Sequence, residues 1–336
     1  MLLNVSAIVM TRKTTIMKPI KIIILILPLL IPLMLHAQQE PMYGQYIFNN
    51  SVINPAQAGS SAFNQWGALA RNQWLGIDGA PKTESVYANF RLPRQLGLAV
   101  GIYQDRLGPE ANLQIQTDLA YHARIRNNWY LAGGIRVMGS HMRISLSDVP
   151  NVDPGNPYFH EDLSSGLILN AGVGLLTYND RSFFGISIPR AFRNQIGINE
   201  PGVVDFRKKV VRHLFAYGGS NIQLSDEILF IPSTLFKYSD DAPVQLDINA
   251  VFGYREVLDF GPLLRSNLRG IDWFDAIGFL VGIHFLENWY FGYMYEYPVT
   301  DLRHAAGIFR QTHEISLRFF WDTTRERRIR SPRYFL

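Results

Sequence analysis

The sequence predicts an all-β fold, a transmembrane antiparallel β-barrel of about 14 strands with short periplasmic turns and long extracellular loops. Three observations lead there. Apolar and polar residues alternate with a period of two on segment after segment. One face of these segments is apolar while the other carries Gln, Asn, Asp, Arg, Gly and Ser, which fits a barrel whose exterior meets lipid. The connections between segments are brief and long in turn.

Composition narrows the field. Of 336 residues, 47% are apolar, 18% charged and 13% aromatic, with 21 Phe, 16 Tyr and 6 Trp. Soluble domains carry about 25% charged residues. A chain with this much apolar surface to bury is not intrinsically disordered. Without cysteine there is no disulfide scaffold, thiolate zinc site, cysteine nucleophile or lipidated N-terminal cysteine. The net charge of +4 comes from Arg12, Lys13, Lys18 and Lys21, because residues 38–336 hold 28 basic and 28 acidic residues. A neutral body gives no support for nucleic-acid binding.

Residues 1–37 are organised as a signal peptide. Lys18 and Lys21 precede an apolar run from Ile22 to Leu35, and Ala37 offers a small residue before Gln38. The run has 14 residues and is broken by Pro28 and Pro32, short for the competing reading as an uncleaved membrane anchor. Met17 makes a tidier signal start than Met1, so residues 1–16 read as an upstream extension. Beyond Ala37 no stretch of 18 apolar residues occurs.

Residues 38–62 mix aromatics with amides, Pro and Gly ahead of the first strand. A barrel of roughly 8 strands is filled by side chains and one of roughly 16–18 holds water, so an intermediate barrel needs water or chain inside. The segment is therefore expected to be plug-like, at or into the periplasmic mouth. Tyr43, Tyr46 and Phe48 are expected to pack there, with Asn49 and Asn54 capping turns.

The barrel is expected over residues 63–321. Its strands fall near 63–73, 83–92, 96–104, 113–126, 128–140, 166–178, 182–190, 210–223, 227–237, 244–254, 257–264, 274–286, 288–298 and 312–321. Alternation is clearest where Leu113, Ile115, Leu119 and Tyr121 oppose Gln114, Gln116, Asp118 and His122. Brief connections such as Pro93-Arg94-Gln95, Asn127 and Arg255-Glu256 alternate with the longer stretches 105–112, 141–165, 191–209 and 299–311. The soluble alternative is a β-sandwich or propeller, which needs more frequent turn signals and more external charge.

Motifs for catalysis are missing. His313-Glu314 lacks the second His of a zincin, and no nucleophile elbow or phosphate loop is present. His160-Glu161-Asp162 with Asp153 nearby reads as a solvated loop before it reads as a cation site. No catalytic, cofactor-binding or metal residue is assigned, and no cofactor is expected.

Several motifs in order resemble the PorP/SprF family. They are Gln45-Tyr46-x-Phe48-Asn49, Ile53-Asn54-Pro55-Ala56 with Ala58-Gly59, and Arg71-x-Gln73-Trp74-x-Gly76-Ile77-Asp78-Gly79-Ala80-Pro81-x-Thr83. Later come Pro232-Ser233 with Tyr238, Gly292-Tyr293-x-Tyr295-x-Tyr297, His313-Glu314-Ile315-x-Leu317 and Ser331-Pro332-Arg333-Tyr334-Phe335. The usual aromatic after Asn54-Pro55-Ala56 is Gln57 here. The resemblance implies an outer-membrane protein of Bacteroidota tied to type IX secretion, serving the export or surface display of particular cargo such as gliding adhesins. It implies no enzyme. The partners it implies are a secreted protein with a C-terminal sorting domain and the periplasmic and outer-membrane secretion components.

The alternatives from the sequence are a passive or substrate-specific pore and an outer-membrane hydrolase. On the first reading the long loops and the 74–82 loop, with Trp74, Asp78 and Pro81, meet the secreted partner. Residues 322–336 form a basic-aromatic periplasmic tail, and Arg325, Arg328, Arg333, Tyr334 and Phe335 are its candidate docking residues.

Overall fold

The computed structural model describes residues 43–126, 128–146, 162–198, 206–209, 211–240, 242–268, 274–299 and 311–321. Among them, fourteen strands close into one ring. They are β1 Asn64–Asn72, β2 Lys82–Leu92, β3 Leu96–Leu107, β4 Glu110–Arg126, β5 Trp129–Ile144, β6 Ile168–Tyr178 and β7 Ser182–Ile188. The second half is β8 His213–Ser220, β9 Ile228–Ser239, β10 Ala242–Tyr254, β11 Leu258–Asn267, β12 Phe274–Phe285, β13 Trp289–Pro298 and β14 Thr312–Trp321. Every strand pairs antiparallel with its sequence neighbours, and β14 returns to β1 in a ladder from Asn64↔Trp321 to Asn72↔His313. Closure satisfies the backbone groups that an open sheet edge would expose to lipid.

The period-two pattern sets which way each side chain points. On β4, Gln114, Gln116, Asp118 and His122 are buried while Leu113, Ile115, Leu119 and Tyr121 are exposed. On β14, Glu314, Ser316 and Arg318 are buried and Ile315 is exposed. Polar inside and apolar outside is stable only where the outer solvent is hydrocarbon. Aromatics ring the short-turn end: Trp66 meets Trp289 edge-on at 5.5 Å, Trp289 lies 4.9 Å from Phe319, and Phe230, Phe252 and Phe260 stack in a row. Such rings sit where hydrocarbon gives way to headgroups.

Three of the short turns owe their tightness to paired left-handed residues. Arg94 and Gln95 (φ 59° and 62°), Arg255 and Glu256 (52° and 56°) and Leu286 and Glu287 (48° and 59°) all adopt it. Two such residues in succession match the right-handed twist of the flanking strands.

Three boundaries differ from the alternation. The ladder between β4 and β5 runs on from Asn112↔Met142 to Glu110↔Ile144, past the point where Leu113 begins the apolar stripe. Backbone pairing outlasts the lipid-facing pattern there because strands can leave the membrane still hydrogen-bonded. β8 is shorter than expected, and Ile222–Gln223 makes a separate two-residue bridge to β9. Residues 191–209, expected to be irregular, contain an antiparallel hairpin of Gln195–Ile198 with Phe206–Lys209.

Candidate functional site: the lumenal segment and its wall

Ahead of β1 the chain makes three short 3-10 turns, Gly44–Phe48, Asn50–Val52 and Pro55–Gln57. Pro55 and the Asn54 side chain start the last one, Asn54 Oδ1 accepting from the Ala56 N–H at 2.8 Å. The Asn49 side chain caps no backbone N–H; its Oδ1 accepts from the Ser51 hydroxyl at 2.6 Å instead. The segment touches strands on every side of the ring, from Asn89 on β2 through His122, Arg136, Leu175, Ser187 and Tyr217 to Asn249 on β10 and Glu314 on β14. Only a segment inside the ring can do so. It lies in the lumen.

It also climbs. Gly59 and Ala58 bond to Asn89 and His122 near the short-turn ends of β2 and β4, whereas Tyr43 clusters with Leu69 and Tyr103 in the long-loop half. The segment thus runs along the lumen, beyond the mouth to which its composition pointed. Tyr43, Tyr46 and Phe48 are all buried. Tyr46 Oη accepts from Asn249 Nδ2 at 2.7 Å, and Phe48 lies 5.1 Å from the Tyr290 ring with the Arg318 guanidinium 4.2 Å above it. Burial pushes the Tyr43 and Tyr46 phenols well above their usual range, so both stay neutral.

Glycines on the wall seat the lower half. A Cβ built at Gly97 would collide with the Ala58 carbonyl, one at Gly134 with the Ala56 backbone, and one at Gly174 with the Asn54 amide. These strand glycines are where another backbone comes close, the reading that an interior strand glycine invites.

Charges line the upper half. Glu314 accepts from the Gly44 N–H at 2.6 Å and the Gln45 N–H at 3.0 Å, and is ion-paired to Arg71. Arg71 lies 3.5 Å from Glu296, Glu296 accepts from Arg265 at 2.8 Å, and Arg265 reaches Asp247 at 3.2 Å. Lys237 closes the row 2.7 Å from Asp247. Arg265 spans β12 to reach Glu296 because Ala276 and Gly278 leave room on that strand. Across the lumen, Arg136 is held by Asp118 at 2.7 Å and donates to the Val52 carbonyl at 2.9 Å and to the Ser51 carbonyl. These charges are buried and matched in sign, as buried ions must be.

The outer loop of residues 73–81 is tied down and partly exposed. The Leu75 N–H donates to Gln311 O at 3.0 Å and the Gly108 N–H to Gly79 O at 2.8 Å. Trp74 sits at φ 52°, a left-handed conformation costly for a bulky residue. Leu75 is 56% exposed, Asp78 is exposed, and Trp74 and Pro81 are half-buried. Arg325, Arg328, Arg333, Tyr334 and Phe335 lie outside the described residues, as do residues 1–37 and His160-Glu161. Asp162 is described, and pairs with Arg143 at 2.5 Å.

Sequence reading named Arg71 and Glu314 only inside family motifs and Asp118 only as part of the alternation, with no role assigned, and did not name Arg136 or the seating glycines. Their signal was parity: each stands on the polar face of a strand whose other face is apolar.

Comparison with known proteins supplies the family. Residues 35–319 match the model of the type IX secretion system membrane protein PorP/SprF. Among solved structures, the toluene transporter TbuX of Ralstonia pickettii shares 9% identity at a TM-score of 0.49, covering 82% of this chain and 94% of its own. The monoaromatic hydrocarbon channel CymD shares 11% at 0.49 over 84% and 94%, and a Pseudomonas aeruginosa FadL homologue 10% at 0.46 over 85% and 95%. No curated protein matches in sequence. The family match takes in the lumenal segment and nearly the whole ring, and the chain belongs to the PorP/SprF family of type IX secretion system membrane proteins, as a β-barrel of the outer membrane.

Proposed function

We propose that this barrel is an accessory of type IX secretion that helps export or anchor one particular secreted partner, such as an adhesin with a C-terminal sorting domain. The proposal assigns it no catalytic step. Family membership supports the pathway. The single structural observation that carries the recognition role is the ordered outer loop around Trp74. A loop pinned at Leu75 and Gly79, with a strained Trp and an exposed Leu at its tip, is pre-organised for contact and loses little entropy on binding. Residues 1–37 serve as the export signal, and the tail from Asp322 docks periplasmic components through Arg325, Arg328, Arg333, Tyr334 and Phe335.

The test is a deletion strain examined for its surface proteins. Loss of one secreted protein with nutrient uptake unchanged supports the reading; unchanged surface proteins with impaired solute uptake overturn it in favour of the pore. Truncation after Thr324, scored separately for barrel insertion and cargo display, tests the tail. Normal insertion with normal display removes its docking role.

A further inference from the structure

Two observations about the lumen point beyond a fixed filling. The first is what the wall recognises. Glu314 takes the Gly44 and Gln45 N–H groups, Arg136 the Ser51 and Val52 carbonyls, and Ser187 the Ile53 carbonyl at 2.6 Å. His122 donates to the Ala58 carbonyl at 2.7 Å, and Asn89 holds the Gly59 N–H at 2.6 Å and the Gln57 carbonyl at 3.4 Å. Five wall side chains thus address eight main-chain groups. Main-chain groups are common to every polypeptide, so a wall that reads them is not tied to one sequence.

The second observation is how the wall's charges are balanced. Arg71, Arg265 and Lys237 are matched by Glu314, Glu296 and Asp247, all on strands. Arg136 is matched by Asp118, also on a strand. No wall ion in this set relies on the segment for its counter-charge, and Arg318, whose guanidinium lies over Phe48, keeps the Tyr290 ring at 3.9 Å and the Phe320 ring at 5.3 Å when the segment leaves. Its departure uncovers an apolar patch, however, because Tyr46, Ile47 and Phe48 pack with Leu235, Leu263 and Tyr290. Vacating the lumen to water is therefore costly, whereas replacing one polypeptide by another is not.

We infer that the lumen is a polypeptide-binding site, which residues 43–60 fill until a segment of the secreted partner takes their place. The glycine seats define the chemistry of that segment. Ala, Gly or Ser must lie over Gly97 and Gly134, where the resident chain has Ala56, Ala58 and Gly59, and an aromatic or aliphatic pair must fill the patch. The identity of the occupant rests on the secretion reading above; the existence of the site does not.

The experiment uses the full chain in detergent and a fluorescent synthetic peptide copying residues 43–60. Because the chain has no cysteine, Gly174→Cys combined with Asn54→Cys, which removes the amide that a Cβ at Gly174 would meet, introduces a single reducible lock between segment and wall. Saturable uptake of one peptide per barrel is expected when the lock is reduced and none when it is oxidised. Glu314→Gln, which weakens the resident's hold on the wall, should speed uptake roughly tenfold. Uptake that ignores the lock shows surface adhesion and overturns the site, as does its absence in both the reduced lock and Glu314→Gln after a day. A photo-crosslinker at Val52 in cells then tests the occupant. A crosslink to a secreted protein supports the assignment. Peptide exchange without any such crosslink leaves the site standing and removes the secreted partner as its occupant.

Discussion

Residues 54–60 and residues 43–53 fill the same lumen, yet different forces hold them. The first stretch is seated by contact: Ala56, Ala58 and Asn54 press on glycines that leave no room for a side chain. The second is held by charge and rings: Glu314 and Arg136 grip its main chain, and Phe48 lies under the Arg318 guanidinium. The difference is instructive. Contact seats act over a few tenths of an ångström and fail abruptly when a methyl group is added. Ionic grips can be weakened one proton or one atom at a time. A segment fixed at one end by shape and at the other by charge is built to loosen from the charged end first.

The strongest way to break this contrast is Asp118→Ala. It removes the carboxylate that balances Arg136 while Arg136 still faces the Ser51 and Val52 carbonyls. Breaking a buried pair from one side costs about 3–5 kcal/mol. The expected outcome is a large fall in the unfolding temperature of the purified barrel, with residues 43–53 losing hydrogen-exchange protection before residues 54–60. Equal loss in both stretches would erase the distinction between them.

Next in size is Gly134→Leu. The new side chain must displace the Ala56 backbone, an overpacking that costs about 1–3 kcal/mol. Here protection should vanish first over residues 54–60, the reverse order. The pair of variants therefore tests the comparison from both sides, and a common order in both would sink it.

These variants also show what could be read from the chain alone. Strand number, order and turn positions were legible because a lipid exterior imposes one rule on every strand. Leu113, Ile115 and Leu119 announce their face whatever they later touch. The inner face was legible only as polar. That Glu314 and Arg71 meet, or that Arg265 reaches Glu296 across β12, depends on barrel closure and register between residues as far apart as 71 and 314. Gly134 could have been read as a place of close backbone approach, but not as a seat for Ala56 from a segment more than 70 residues away. The aromatic content of residues 38–62 marked the segment as too aromatic for a solvated tail. How far it runs along the lumen is set by wall groups that sequence distance hides.

Glu314→Gln should have a smaller effect than either variant above. The amide keeps an oxygen for one of the Gly44 and Gln45 N–H groups but loses the charge that pairs with Arg71. Arg71 retains Glu296 at 3.5 Å, so the guanidinium is not left without a carboxylate. The difference between charged and neutral hydrogen bonds sets the loss at about 1–2 kcal/mol. Exchange protection should fall at residues 44–45 and hold at 54–60. If the fall extends through residues 54–60, the two stretches loosen as one body and the contrast between them fails.

The smallest effect on stability is expected where neither force acts, at the tip of the outer loop. Leu75 is 56% exposed, and its main chain rather than its side chain ties the loop to Gln311. Leu75→Ser should leave the unfolding temperature almost unchanged, since such surface substitutions stay within about 0.5 kcal/mol. Trp74 is different: its strained backbone at φ 52° is paid for by the packing around the loop, so replacing it mixes binding with folding. Leu75→Ser is therefore the cleaner probe of recognition. An apolar anchor at the centre of an interface is worth about 2 kcal/mol or more, whereas one at the rim contributes little. A fall of tenfold or greater in the capture of the secreted partner by cells, with the barrel as stable as before, places the loop tip in the interface. Unchanged capture with unchanged stability moves recognition away from this loop and toward the lumen, whose wall addresses main-chain groups.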